Sequence, residues 1–172
     1  MGCVARWIRL EHSDRASLRA AYAAFAQVQL PRAAPTVFWA RDDEAGFAFA
    51  LVVPLLFAPG RPWRWRAWAL APANATYRQF GQRAYLDGDG IWLAGRRIAE
   101  GEAAAAGHCA VIAARFVACL LARADWTERA VLEAFRGRIE AQHSWQFDHS
   151  WPSAEEKEAI GSALALEAAN AA

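Results

Sequence analysis

Lysine is almost missing from this sequence. Of 19 basic residues in 172, 18 are arginine, and Lys157 stands alone near the C-terminus. Chemistry that needs a lysine in the body of the chain has none to use. An excess of one charge is missing too. Nineteen basic residues face 18 acidic ones for a formal net charge of +1, which removes the electrostatic footing for binding nucleic acid or an anionic membrane. Cysteine is scarce. Cys3, Cys109 and Cys119 are an odd number without C-x-x-C spacing, so neither a disulfide framework nor a zinc site reads out of them. Of two long apolar runs, 45–59 is too short to span a bilayer and contains Pro54, and 103–122 holds His108 and Arg115. The segment Met1-Gly2-Cys3-Val4-Ala5-Arg6 has no apolar signal-peptide region, and Arg6 takes the Ser/Thr place of a myristoylation signal. The expected location is the cytoplasm. What is abundant is alanine, 43 residues, which with the arginine bias matches the codon usage of a GC-rich genome.

The length suits one domain, residues 1–172, able to bury a core without disulfide or structural metal. Asp14 is placed to cap a helix running to about Gln29, with Leu18, Tyr22, Phe25 and Ala26 at helical spacing and Pro31 and Pro35 ending it. Residues 36–40 have strand composition, 42–46 form a turn, and 47–53 are apolar on both faces, as a central strand is. A helix over 63–80 follows, with Pro72 placed to kink or divide it. Residues 84–86, 91–93, 96–99 and 108–114 read as strands, with Ala94-Gly95 as a two-residue turn. Helices over 127–142, capped by Thr127, and 153–166 complete the chain, and 153–172 are its C-terminal helix and tail. Ser153 and Glu156 make a capping box. This order predicts an α+β fold, a mainly antiparallel or mixed sheet backed by helices.

One stretch carries more. Gly90-Ile91-Trp92-Leu93-Ala94-Gly95-Arg96-Arg97-Ile98-Ala99 resembles the central motif of biotin and lipoate protein ligases. There an Asn-Asp pair opens a strand, a short turn follows, and Gly-Arg-Lys-Ile-Ala-Gly begins the next strand. Gly107-His108-Cys109-Ala110-Val111-Ile112 is similar to the His-Gly and apolar strand of lipoate ligases and octanoyltransferases. The resemblance implies a sheet that binds an acyl group or biotin beside an adenylate. ATP activates the carboxylate as acyl-AMP, and the acyl group passes to a lysine on a lipoyl or biotinyl carrier domain. Arg97 falls at the position of the family's lysine and is the implied catalytic cation, which stabilises charge growing on carbonyl and phosphate. Asp89 aligns with the acidic pair, and Gly95, Arg96, Gly101 and His108 are the other implied binding residues. No metal ligands are implied.

The sequence departs from that pattern at three places. Arg97 keeps the cation and can grip phosphate bidentately, but a guanidinium is broader and does not shed its proton. Glu100 stands where the motif has glycine, with Gly101 one residue later. No Gly-rich Arg-Arg phosphate loop precedes residue 47; the chain has Arg41-Asp42-Asp43-Glu44, acidic and ill suited to cradle phosphate.

Other groupings have plainer readings. Residues 61–68 interleave Trp63, Trp65 and Trp68 with Arg61, Arg64 and Arg66. That suits either a stacking and phosphate-holding surface or a helix start with Trp65 and Trp68 in the core and solvated arginines. His108 and Cys109, as strand neighbours, face opposite sides and form no dyad. His108 reads as a buried, hydrogen-bonded histidine or as one lining the acyl pocket, and Cys119 as a core residue. Residues 143–151, with His143, Asp148 and His149, read as an aromatic-anchored connection and not as a metal site. Asp87-Gly88-Asp89-Gly90 lacks the further ligands of a calcium loop and reads as a tight turn. Three functions stand open: a diverged ligase-like protein that binds a small carboxylate or a carrier domain without efficient ligation; an active transferase using Arg97 for the lysine; and an unrelated α+β interaction protein.

Overall fold

The computed structural model of the chain describes residues 2–11, 15–42, 46–116 and 127–171. In chain order the elements are β1 (Cys3–Arg9), α1 (Arg15–Gln27), β2 (Thr36–Asp42) and β3 (Gly46–Pro54), then a 3-10 turn (Pro62–Arg64) leading into α2 (Trp65–Gln79). β4 (Tyr85–Asp87), β5 (Gly90–Leu93), β6 (Arg96–Ala106) and β7 (Cys109–Phe116) follow, then α3 (Glu128–His143), β8 (Trp145–Asp148) and α4 (Ala154–Ala171). The eight strands form one sheet in the order β4-β5-β6-β7-β3-β2-β1-β8. β1 pairs in parallel with both β2 and β8, and the other neighbours are antiparallel. The fold is α+β with a mixed sheet, as the element order predicts.

β3 sits inside the sheet, between β2 and β7. Its alternation serves two cores. Phe49, Leu51 and Val53 pack toward α2 and α3 with Val37, Leu70, Phe135 and Ile139, whereas Ala50 and Val52 pack toward α1 and α4 with Phe38, Phe25 and Ile160. Both faces are covered, so a strand with no polar residue is what the position requires. Each fully buried Phe or Leu here contributes about 2 kcal/mol from lost water contact.

Helix boundaries follow local chemistry. Thr127 Oγ1 accepts from the Ala130 N–H at 3.2 Å. At α4 the capping box is reciprocal: Ser153 Oγ accepts from the Glu156 N–H (3.2 Å), and Glu156 Oε2 from the Ser153 N–H (2.7 Å). The expected cap Asp14 lies outside the described residues. α2 runs unbroken through Pro72, whose ring removes one backbone bond while Leu70, Ala73 and Tyr77 hold the helix to the core.

Two strands escape the sequence reading. β1 is one, and β8, which occupies part of the expected 143–151 connection, is the other. β6 runs on to Ala106 through an alanine run of low strand propensity, because Ala103–Ala106 pair with Ile112–Cys109 of β7. His108 is not in a strand. It shares a two-residue turn with Gly107 (φ +54°) and is exposed, so the buried, hydrogen-bonded reading of His108 is corrected. Among the described residues no helix is long and apolar enough to cross a membrane.

Candidate functional site

The site forms where β4, β5 and β6 meet the start of α2. Ala94 (φ +49°) and Gly95 (φ +76°) both take positive φ. That is the pattern of a tight hairpin turn whose twist matches its strands, and it sets Arg96 and Arg97 at the head of β6. A bulge then re-aims the chain. Trp92 pairs with Arg97 and Ile91 with Ala99, which leaves Ile98 as the extra residue, turned inward and buried.

Arg97 reaches over Gly90 to the β4–β5 turn. A Cβ at Gly90 would stand 2.5 Å from Arg97 Nε and 3.2 Å from the Ala99 carbonyl oxygen, so glycine alone leaves the guanidinium its path. Arg97 Nη2 donates to Asp89 Oδ1 at 2.5 Å, and its Nη1 lies 3.3 Å from Glu100. From the other side Arg66, on the first turn of α2, donates through Nη1 to Asp89 Oδ2 at 2.9 Å. Slight desolvation would raise the Asp89 pKa; the charge of Arg97 and the hydrogen bonds from the backbone and from Arg66 outweigh it and hold the carboxylate below its usual range. Gly101 closes the arrangement. Its N–H donates to the Asp89 carbonyl (3.0 Å), and a Cβ there would press Leu70 at 3.3 Å, so β6 runs close under α2.

A cleft of about 790 Å³ opens beside this cluster, between Trp63, Arg64 and Arg66 on one wall, Asp89 at the turn, and Ala104 and Ala105 on β6. Trp65 is buried and donates its indole N–H to the Pro59 carbonyl (2.8 Å), and Trp68 packs 4.1 Å from the His143 ring. Trp63 stays 69% exposed with the guanidinium groups of Arg64 and Arg61 at 4.9 and 6.0 Å from its ring centre. So the Trp65 and Trp68 half of the segment is core, and Trp63 with its arginines faces the cleft and solvent.

Of the residues singled out in the sequence, the structure brings Asp89, Arg97 and Gly101 together and sets Gly95 and Arg96 at the adjoining hairpin turn. It does not bring His108 there. From Arg97 to His108 the whole of β6 intervenes, about 30 Å at strand rise; the His108 carbonyl accepts from the Leu55 N–H at the far end of the sheet. Arg66 is the residue sequence reasoning missed, and its signal was the interleaved segment, where it reads as a solvated arginine. Near the end of β2, Arg41 is within 3.5 Å of Glu128 on α3, so the arginine that leads into the acidic turn has an acidic partner of its own. Cys109 is fully buried, and burial pushes its thiol up to about 11. Cys119 lies outside the described residues. Among the described residues no three His, Cys, Asp or Glu side chains gather as metal ligands would.

No protein-family model matches the sequence, and no curated protein does. Solved structures do. The chain superposes on a bi-partite lipoate protein ligase from Thermoplasma acidophilum, studied with its E2 lipoyl domain, with TM-score 0.77 at 10% identity over 95% of this chain and 92% of that one. Lipoate-protein ligase A bound with ATP gives 0.70 at 12% over 94% of each chain. Biotin protein ligase from Aquifex aeolicus in complex with biotin and ATP gives 0.61 at 9% over 81% of this chain and 70% of that one. With the sheet order and the helices of the described residues already in place, the chain has the catalytic-domain fold of the lipoate and biotin protein ligases.

Proposed function

We propose that this chain binds an acyl carboxylate of the lipoate, octanoate or biotin kind, or the carrier domain that bears it, and does not activate it efficiently with ATP. The observation that carries the reading is the Arg97–Asp89–Arg66 cluster, built on the residue that the motif resemblance aligns with the family's lysine. A ligase lysine acts as a compact point charge at the acyl carbonyl and phosphate. Here the cation is a planar guanidinium already engaged by Asp89 and Glu100, with a second guanidinium across the same carboxylate. Two guanidiniums flanking one carboxylate suit recognition of another carboxylate by exchange, since each fork has further N–H donors. Turnover of a nucleotide is less well served. Arg41 is paired with Glu128, and residues 41–44 are too acidic to cradle phosphates. ATP or AMP would have the cleft's Arg64, Arg66 and Trp63 as its phosphate and stacking partners.

Pyrophosphate–ATP isotope exchange in the presence of lipoate, octanoate or biotin tests the second half of the proposal; exchange above background with any of them favours the active transferase that uses Arg97 instead. Arg97→Lys is expected to leave exchange at background, because the phosphate loop is missing as well as the lysine. Thermal melting with the same three acids tests the first half, and a melting temperature that none of them raises sinks it.

A further inference from the structure

β8 ends at Asp148, opposite Arg6, and β1 runs on through Trp7, Ile8 and Arg9 with no strand on that side among the described residues. The even positions of β1 turn their backbone to β2: the Arg6 N–H donates to the Pro35 carbonyl and the Leu10 N–H to the Trp39 carbonyl, each at 2.8 Å. Alternation turns the N–H and C=O groups of Trp7 and Arg9 to the β8 side. In the parallel pairing of Arg6 with Asp148 the Trp7 N–H donates to the Asp148 carbonyl, which leaves the Trp7 carbonyl and the Arg9 N–H and carbonyl at the edge beyond β8. Among the described residues no backbone hydrogen bond meets these three groups there.

A cleft of about 680 Å³ lies along this edge, away from the Arg97 cluster. Trp7, Ile8, Arg9 and Leu10 all line it. Successive strand residues point to opposite faces, so a cleft touching all four is entered along the edge of the strand. Its far wall is Trp151, which is 85% exposed, and Ile160 of α4. Arg9 lies 5.3 Å over the Trp39 ring, and Lys157, the chain's single lysine, stands in the α4 wall; among the described residues Glu11 is the one acidic member of the lining. The cleft is apolar with a cationic balance.

We infer that this edge receives an extended peptide segment of a partner protein, apolar in its middle and carrying carboxylates, which adds to the sheet as a strand beside β1. The Trp7 carbonyl and the Arg9 N–H and carbonyl supply one donor and two acceptors, the apolar side chains fill the space between Trp7 and Ile160, and the carboxylates meet Arg9 and Lys157. A single chain fits where a second copy of this protein does not. The edge is recessed behind residues 149–152 and α4, and two recessed edges cannot reach one another.

The probe is a fluorescently labelled peptide, acetyl-Glu-Val-Ile-Val-Glu-amide, titrated into the full chain. Saturable binding is expected, with hydrogen-exchange protection gained at the amide of Arg9. Two further peptides, N-methylated at one or the other set of alternate amides, separate strand pairing from burial: the set facing β1 weakens binding by about tenfold or more. Lys157→Glu, an exposed change, weakens it by about threefold. The inference is overturned by absence of saturation at millimolar peptide, by both methylated peptides binding like the parent, or by binding that leaves the Arg9 amide unprotected. It is equally overturned by a dimer in sedimentation that protects that amide without peptide.

Discussion

Arg97 Nη2 stands 2.5 Å from one oxygen of Asp89 while Arg66 Nη1 stands 2.9 Å from the other. A single carboxylate, supplied by the chain itself, thus lies between two guanidiniums, one from β6 and one from α2. Both ion pairs are partly solvated, with the Arg97 and Asp89 side chains 34% and 40% exposed, so each contributes at most about 1 kcal/mol to stability. The arrangement matters more for what it presents to a ligand than for holding the fold together.

Asp89→Asn removes the competing charge and keeps the shape of the turn. Affinity for lipoate or octanoate is expected to rise by about threefold, with stability changed by about 1 kcal/mol or less. Titration calorimetry with parallel denaturant melts checks this. Weaker binding in the variant would mean that Asp89 holds the two arginines in place and does not compete for them.

Gly90→Ala tests the path of the Arg97 side chain. The new methyl collides with the flexible guanidinium arm and crowds the Ala99 carbonyl, so Arg97 must leave Asp89. Carboxylate affinity is expected to fall about tenfold for a stability loss of about 1 kcal/mol. A variant that binds as well as the parent would place the ligand away from Arg97.

Acid should loosen the fold in two steps. His143 is half-buried against Trp68 and Trp145, and among the described residues neither ring nitrogen makes a well-formed hydrogen bond. Burial pulls its pKa down from 6.5 to about 4. Between those values the unfolded chain binds a proton that the folded chain refuses, so stability falls as pH drops through that window. Glu156 follows. Burial would raise its pKa, but donors from Arg6, Gln29 and the Ser153 N–H outweigh that and hold it at about 2, against an ordinary 4.5. Its contribution is complete above 4.5 and is lost as pH falls toward 2. His143→Phe is expected to flatten the first step, and Glu156→Gln to flatten the second while costing about 2 kcal/mol at neutral pH. Denaturation midpoints measured from pH 7 to 2 decide both; a wild-type midpoint that rises on acidification contradicts the scheme.

Much of the fold is legible in the sequence wherever local chemistry is decisive. Ala94-Gly95 marks the hairpin turn, Ser153 with Glu156 marks the start of α4, and the apolar run of β3 marks its place inside the sheet. β1 is hidden because Arg6 interrupts its apolar pattern. That charge is tolerated since Glu156, 150 residues on, takes it bidentately at 2.7 and 2.9 Å. β8 is hidden by its four-residue length and by the left-handed Ser144 (φ +55°) that ends α3 and turns the chain into it. At the site, Arg97 and Asp89 are readable because a motif places them eight residues apart. Arg66 is not, because its meeting with Asp89 depends on how close α2 lies to β6. His108 shows the opposite failure: an apolar neighbourhood in sequence that folds into an exposed turn.

The most direct test of the central claim is calorimetric titration of lipoate, octanoate and biotin into the wild-type chain and Arg97→Ala. Saturable binding of at least one acid by the wild type, weakened about tenfold or more in the variant, is the predicted result. Binding of none of the three, or equal affinity in both proteins, would contradict it.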